Sequence, residues 1–166
     1  MINRILALFA VVAVMSTMVM AQGATTTSGP KMEVVGGETY DWGKIKPPAS
    51  GTLEATIKMK NVGSAEMKIV EVKPGCGCTK TDPDKMDVVP GDVSTMGVKL
   101  NISPAQAGPI TKSITIRWGD AKGLAAREEF RRRGTPVPAG LDTNEQVTFL
   151  FLKADIQRAL MMTPSI

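Results

Sequence analysis

The chain contains no histidine. That absence removes the commonest general base, the usual activator of a serine or cysteine nucleophile and the commonest zinc ligand together, so hydrolytic chemistry has little to stand on. Cysteine is limited to two residues, too few to define a disulfide scaffold. Aromatic residues are scarce as well, with two Trp, one Tyr and four Phe among 166 residues. The interleaved basic and aromatic surface of a nucleic-acid binder is therefore missing, and no nucleic-acid partner is expected. Glycine pairs such as Gly36-Gly37 do not match a phosphate-binding loop, so no cofactor is expected either. Asp82 and Asp84 stand close together but bracket Pro83, which marks a turn rather than an acid/base pair.

What is present begins with an export signal. Asn3 and Arg4 precede an apolar run from Ile5 to Val14, and Val19-Met20-Ala21 supplies the small or apolar residues before a cut, so residues 1–21 read as a signal peptide. The run is too short, and too soon followed by Ser16 and Thr17, for a membrane span. A soluble exported protein is the expectation: periplasmic, cell-surface or secreted, with no stable membrane insertion after cleavage. Removing residues 1–21 from 166 leaves 145, enough for one domain with a proper core. The cut takes away Arg4 and lowers the formal charge from +4 to +3.

Residues 22–30, rich in Thr, Ser and Gly, read as a flexible lead-in. Beyond them lie short strand candidates separated by turn signals: Lys31–Val35, Thr39–Ile45, Thr52–Asn61, Glu66–Val72, a strand with Met96, Val98, Leu100 and Ile102 on one face, Ile110–Trp118, and Val147–Ile156. Thr52–Asn61 alternates most cleanly, with Leu53, Ala55, Ile57 and Met59 on one face and Glu54, Thr56, Lys58 and Lys60 on the other. In Glu66–Val72 the apolar phase slips between Ile69 and Val70, which predicts a bulge. The consecutive apolar residues Phe149, Leu150, Phe151 and Leu152 predict a strand buried on both faces, or a covered edge. Residues 119–145 interrupt this rhythm as an insertion. Ala121–Arg133 reads as a short helix with Glu128–Arg132 and Glu129–Arg133 pairs, stopped by Gly134 and Pro136, and Arg131-Arg132-Arg133 reads as a solvated face. Residues 157–166 are a tail with no readable pattern. Five to eight strands at regular spacing with Gly, Pro and Asn turns indicate an all-β, immunoglobulin-like antiparallel β-sandwich over residues 31–156.

The chemistry available to this sandwich centres on Pro74-Gly75-Cys76-Gly77-Cys78-Thr79. Thiols at i and i+2 are neighbours, and Gly77 is expected to supply a positive φ that tightens the backbone between them. Lys73 and Lys80 flank the pair and favour thiolate. Three states are open to it: a static bridge, a redox couple, or half of a metal site. A closed zinc site needs four ligands, so one chain offering only Cys76 and Cys78 would need a second copy. Copper(I) could draw on Met59, Met67, Met86 or Met96, although methionines on apolar strand faces ordinarily fill cores.

These residues also resemble a known family, the bacterial domain of unknown function numbered 1573, an immunoglobulin-like group related to the ASH/Hydin domains. The resemblance is carried by Tyr40-Asp41-Trp42-Gly43-Lys44-Ile45, by Asn61-Val62-Gly63, by Cys76-Gly77-Cys78-Thr79 and by Pro90-Gly91-Asp92. It covers Lys31 to Gly119 and resumes at Val147 to Ile156, and it departs from the family at Trp42, where phenylalanine is usual, and at Gly119-Asp120 with the insertion that follows. It implies an exported β-sandwich for protein binding or envelope assembly, with an envelope or cell-surface protein as partner, and carries no catalytic assignment. Oligomeric state is not written in the sequence.

Overall fold

The computed structural model describes residues 29–158. Residues 1–21, which the sequence pattern reads as a signal peptide, most of the expected lead-in and residues 159–166 of the tail lie outside them. Among the described residues nine strands and one helix follow in the order β1 (Met32–Val35), β2 (Thr39–Ile45), β3 (Thr52–Asn61), β4 (Met67–Pro74), β5 (Thr79–Pro83), β6 (Asp87–Val88), β7 (Val93–Asn101), β8 (Gly108–Asp120), α1 (Ala121–Arg133) and β9 (Glu145–Ile156). Two sheets form, β1-β3-β7-β5 and β2-β9-β8-β4-β6. The immunoglobulin-like sandwich is as the strand spacing predicts. All pairings are antiparallel except that of β2 with β9, where the chain crosses from one sheet to the other after β1 and runs beside the last strand in parallel.

Alternation in β3 and β7 places Leu53, Ala55, Ile57 and Met59 against Met96, Val98 and Leu100, all buried. The facing sheet contributes Met67 and Ile69 of β4, Ile114, Ile116 and Trp118 of β8, and Leu150 and Leu152 of β9. A second cluster, Leu53, Leu100, Ile102, Ala154 and Ile156, fills the end of the sandwich nearest the cysteines. Trp42 packs against both clusters, and its indole N–H donates to the Glu54 carbonyl across the sandwich at 2.9 Å. Trp118 is 5% exposed and donates to Thr148 Oγ1 at 3.0 Å, which satisfies the one polar atom of its ring. The phase slip in β4 is a register shift between Ile69 and Glu71, opposite Trp118 and Arg117, so the bulge falls where the pattern predicts it.

Outside the thiol loop the structure differs from the sequence pattern at four places. Phe149 and Phe151 are 51% and 40% exposed, whereas Leu150 and Leu152 are fully buried. β9 therefore lies inside its sheet with one apolar face turned outward and is not buried on both faces. Asp82 and Pro83 end an edge strand, β5, instead of forming a turn; Pro is tolerated there because an edge strand has one unpaired side. Gly29 and Pro30 belong to the fold and not to a loose lead-in: Pro30 is buried, and the Gly29 carbonyl accepts from Ser64 and Ala65. In the tail, Gln157 donates to the Ile45 carbonyl, and Arg158 donates to the Gln106 and Ser103 carbonyls.

The insertion is a helix where the sequence predicts one. Asp120 caps it by accepting from the Gly123 N–H at 2.7 Å, and Gly134 ends it at φ 69°. The Glu128–Arg132 and Glu129–Arg133 pairs both form. Leu124 is buried, and Arg127 binds the Thr143 carbonyl and the Glu145 carboxylate, which fastens α1 to the start of β9. Glu145 is also held by Arg117, whose guanidinium reaches Glu71 at 3.0 Å. The Arg127 hydrogen bond, seconded by Arg117, holds the Glu145 carboxyl below its ordinary value of 4.5.

Two predictions follow from this packing. Leu150→Ala costs about 3 kcal/mol of unfolding free energy and Phe149→Ala less than about 1 kcal/mol, read by urea denaturation; equal costs would contradict the one-sided burial of β9. Because the folded-state pKa of Glu145 is lowered, its stabilisation is fully present above pH about 4.5 and is lost as pH falls through the lowered value. Glu145→Gln accordingly flattens the acid limb of the stability curve relative to wild type, and an unchanged limb would show that the cluster contributes nothing.

Candidate functional site

The residues that carry the motifs do not assemble into one site. Asn61, Gly63, Pro90 and Gly91 gather at one end of the sandwich, Cys76, Gly77, Cys78 and Thr79 stand at the other, and Asp41, Trp42 and Gly43 lie on the edge strand β2.

At the first end Asn61 is fully buried at the close of β3. Its amide nitrogen donates to the Ala65 and Val88 carbonyls, each at 2.8 Å. Its Oδ1 accepts from Gly63 N–H at 3.0 Å and from Lys31 N–H at 3.3 Å, and its backbone bonds Asp92 and Gly91. Gly63 is required by close approach, because a Cβ there would lie 2.3 Å from the Gly29 carbonyl oxygen. Val89-Pro90-Gly91-Asp92 is a turn closed by Asp92 N–H on the Val89 carbonyl, with Gly91 at φ 83° in the position that a type II turn gives to glycine. On β2 the Asp41 carboxylate accepts from Gly43 N–H at 2.7 Å, and Gly43 takes φ 68°, which makes the bulge that turns Trp42 inward. All of these residues have architectural work.

At the second end Cys76 and Cys78 form a disulfide with Cα atoms 5.3 Å apart. Both are half-buried. Thr79, 4% exposed, places its hydroxyl 3.5 Å from Cys76 Sγ and 3.9 Å from Cys78 Sγ. The loop is also held by its backbone: Gly75 N–H donates to the Ser113 carbonyl, Thr79 N–H to the Cys76 carbonyl and Asn101 N–H to the Cys78 carbonyl. Gly77 does not adopt a positive φ, and a Cβ there would meet nothing within 4 Å. Its freedom is not what closes the bridge. Gly75 is the tighter position, since its Cβ would lie 2.8 Å from Ser113 Oγ. Met59, Met67 and Met96, offered by the sequence as soft ligands, are fully buried in the first core cluster, whereas Cys78 packs on the second.

Pattern reading missed a third feature, on the outer face of the five-stranded sheet. Val147, Phe149 and Phe151 point outward in a row along β9, at 51%, 51% and 40% exposure. Arg117, Thr115 and Ser113 of β8 stand opposite them in register, and Thr39 of β2 stands opposite Phe151 on the other side. The row is closed at one end by the Arg117–Glu71–Glu145 cluster and at the other by Lys153. Strict alternation of Phe149 and Phe151 with Leu150 and Leu152 is the signal that could have found it, but both faces are apolar and the pattern does not say which is inside.

Residues 34–126 match the family model described as a protein of unknown function, DUF1573. No curated protein matches. Among solved structures the chain is similar to a protein of unknown function from Porphyromonas gingivalis W83, with 16% identity, TM-score 0.52, 80% of this chain and 49% of that one covered. It is similar also to the ASH/PapD-like domain 7 of human CEP192, with 8% identity, TM-score 0.50, 87% of this chain and 96% of that one. The VesB protease of Vibrio cholerae shares the fold at 7% identity and TM-score 0.52 over 78% of this chain and 32% of that one. The chain thus spans about half of the Porphyromonas protein and about a third of VesB. At these identities the likeness is one of fold, an immunoglobulin-like sandwich.

Asn61→Ala leaves two buried carbonyls and two N–H groups short of a partner, and destabilises by at least about 3 kcal/mol. Gly77→Ala stays within about 0.5 kcal/mol of wild type. Thermal and urea unfolding of the two variants side by side checks the contrast, which a costly Gly77→Ala would reverse.

Proposed function

The chain belongs to the DUF1573 family of proteins of unknown function, and from that premise we propose that it is an exported, non-enzymatic module that binds another protein of the cell envelope or cell surface. The observation that carries this reading is the exposed row Val147, Phe149 and Phe151 on a sheet face flanked by Ser113, Thr115 and Thr39. A chain with only four phenylalanines keeps two of them in water on one strand. Contiguous exposed apolar side chains rimmed by polar ones mark interaction surfaces, and aromatic anchors dominate the energetics of such contacts. The sandwich supplies a rigid support, because Leu150 and Leu152 on the reverse of the same strand are locked in the core. Export is supported by the residues 1–21 pattern.

The test places a photo-reactive phenylalanine analogue at position 115, opposite Phe149, in the protein expressed in its own cells. A discrete adduct with a second protein is expected from the exported fraction, lost when Phe149→Ser and Phe151→Ser are combined, and absent when the probe sits at position 58 on the other sheet. The double serine variant is expected to melt within a few degrees of wild type. No adduct, an adduct indifferent to the serines, or one with the mass of two copies of this chain would overturn the reading.

A further inference from the structure

We propose that Cys76 and Cys78 are a thiol–disulfide exchange pair in which Cys76 is the sulfur attacked from outside and Thr79 is the residue that positions and supports the departing thiolate. This rests on the loop alone and is independent of the binding surface on β9.

Three observations combine. First, the backbone of the loop is fixed without the bridge. Gly75 is tied to Ser113 and Cys78 to Asn101 by main-chain hydrogen bonds of 2.8 Å each, and Thr79 N–H closes the turn on the Cys76 carbonyl. The dithiol form can therefore keep the same frame as the disulfide, so opening the bridge does not require the sandwich to open. Second, the two sulfurs are not equivalent. Cys78 packs on the Leu53, Leu100 and Ile102 cluster, whereas Cys76 belongs to neither cluster. An incoming thiolate in line with the S–S bond therefore has its approach at Cys76. Third, Thr79 is 4% exposed, and its hydroxyl has the two sulfurs as hydrogen-bond partners, at 3.5 and 3.9 Å. A buried hydroxyl within reach of both can donate to whichever sulfur carries negative charge, and charge-assisted hydrogen bonds are about twice as strong as neutral ones. Lys73 and Lys80, both exposed, add positive charge on either side of the loop.

The step balances as an ordinary exchange with a thiol, supplied by a small molecule or by a protein. The external thiolate bonds to Cys76 Sγ as the Cys76–Cys78 bond breaks, and the electron pair leaves on Cys78 Sγ, where Thr79 donates its proton in a hydrogen bond. A second external thiolate then attacks the sulfur that came from outside, displacing the Cys76 thiolate. Two thiols have become one disulfide, and the protein has gained two electrons and, on protonation, two protons. In the reverse direction the Cys76 thiolate attacks an external disulfide and Cys78 resolves the mixed disulfide.

The experiment uses the purified protein with glutathione. In millimolar reduced glutathione the bridge is expected to open to the dithiol, followed by mass after alkylation. Thr79→Val is expected to slow opening about tenfold, the loss of one hydrogen bond to a charged group, and Thr79→Ser to restore it. With oxidised glutathione, Cys78→Ser is expected to accumulate a glutathione adduct on Cys76, whereas Cys76→Ser forms the Cys78 adduct more slowly. The pH profile of Cys76 alkylation in Cys78→Ser is expected to move to higher pH when Thr79→Val is added, a shift that a merely structural threonine would not produce. A bridge that stays closed in glutathione, equal adducts at the two cysteines, or an unmoved alkylation profile would each overturn the proposal. The adduct comparison stands even if Thr79→Val does not fold.

Discussion

The sandwich depends on the buried amide of Asn61. Two sheets can slide or splay unless something other than apolar contact fixes their relation, because hydrophobic burial is not directional. Asn61 supplies a buried directional element at one end of the sandwich, and the Trp42 indole bond to the Glu54 carbonyl adds a second contact between the sheets. Asn61 closes β3 in one sheet, donates to Val88 in β6 of the other and to Ala65 at the entry to β4, and accepts from Lys31 just before β1. Every hydrogen-bonding group of its side chain is used, which is what makes a fully buried amide tolerable. The glycines around it follow as consequences: Gly63 lets the N-terminal segment pass at contact distance, and Gly91 gives the turn that brings a backbone N–H to the Asn61 carbonyl.

This has a bearing on where function can lie. The Asp-Trp-Gly, Asn-Val-Gly and Pro-Gly-Asp segments, which together with Cys-Gly-Cys-Thr carry the family resemblance, have structural assignments that account for their residue types. They form a bulge, a buried bridge and a turn; the bridge and the turn meet at one end of the sandwich, and the bulge lies apart on the edge strand β2. A signature of this kind specifies how the chain folds and leaves open what it contacts. The exposed row on β9 lies beyond the matched segment 34–126, as does most of α1. The exposed apolar row is thus a part of the chain about which family membership says nothing.

Much of the fold could be read from residue order because period and punctuation agreed. In β3, polar and apolar residues alternate without exception from Leu53 to Lys60, leaving one register open to the strand. α1 carried both its glutamate–arginine pairs and its stop at Gly134. β9 was misread because period two is visible only when the two faces differ in polarity, and Phe149 and Leu150 are equally apolar. β5 was missed because Asp82-Pro83 is turn chemistry in any local reading; it becomes a strand only through pairing with β7, a contact between residues far apart in sequence. The parallel crossing of β2 onto β9 is likewise a tertiary fact. At the candidate site the cysteines were legible as neighbours, but the role given to Gly77 belongs to backbone bonds that tie Gly75 to β8 and Cys78 to β7, which no reading of the loop alone could supply.

Those bonds also relate the two features the motifs do not explain. Gly75 at the start of the thiol loop bonds to Ser113 of β8, Ser113 stands in register with Phe151 of β9, and Phe151 with Thr39 of β2. One lateral row of the five-stranded sheet therefore runs from the edge of the disulfide loop to the exposed phenylalanines, and two inter-strand steps span about 10 Å. A polypeptide seated on Phe149 and Phe151 would pass within a few residues of Cys76. The row is rigid, because Ile114 and Leu150, the residues next to Ser113 and Phe151 on the inner face, are both fully buried. The exposed row and the disulfide loop are thereby held at a fixed separation by the sheet itself, a relation that neither the cysteine pair nor the β9 pattern contains separately.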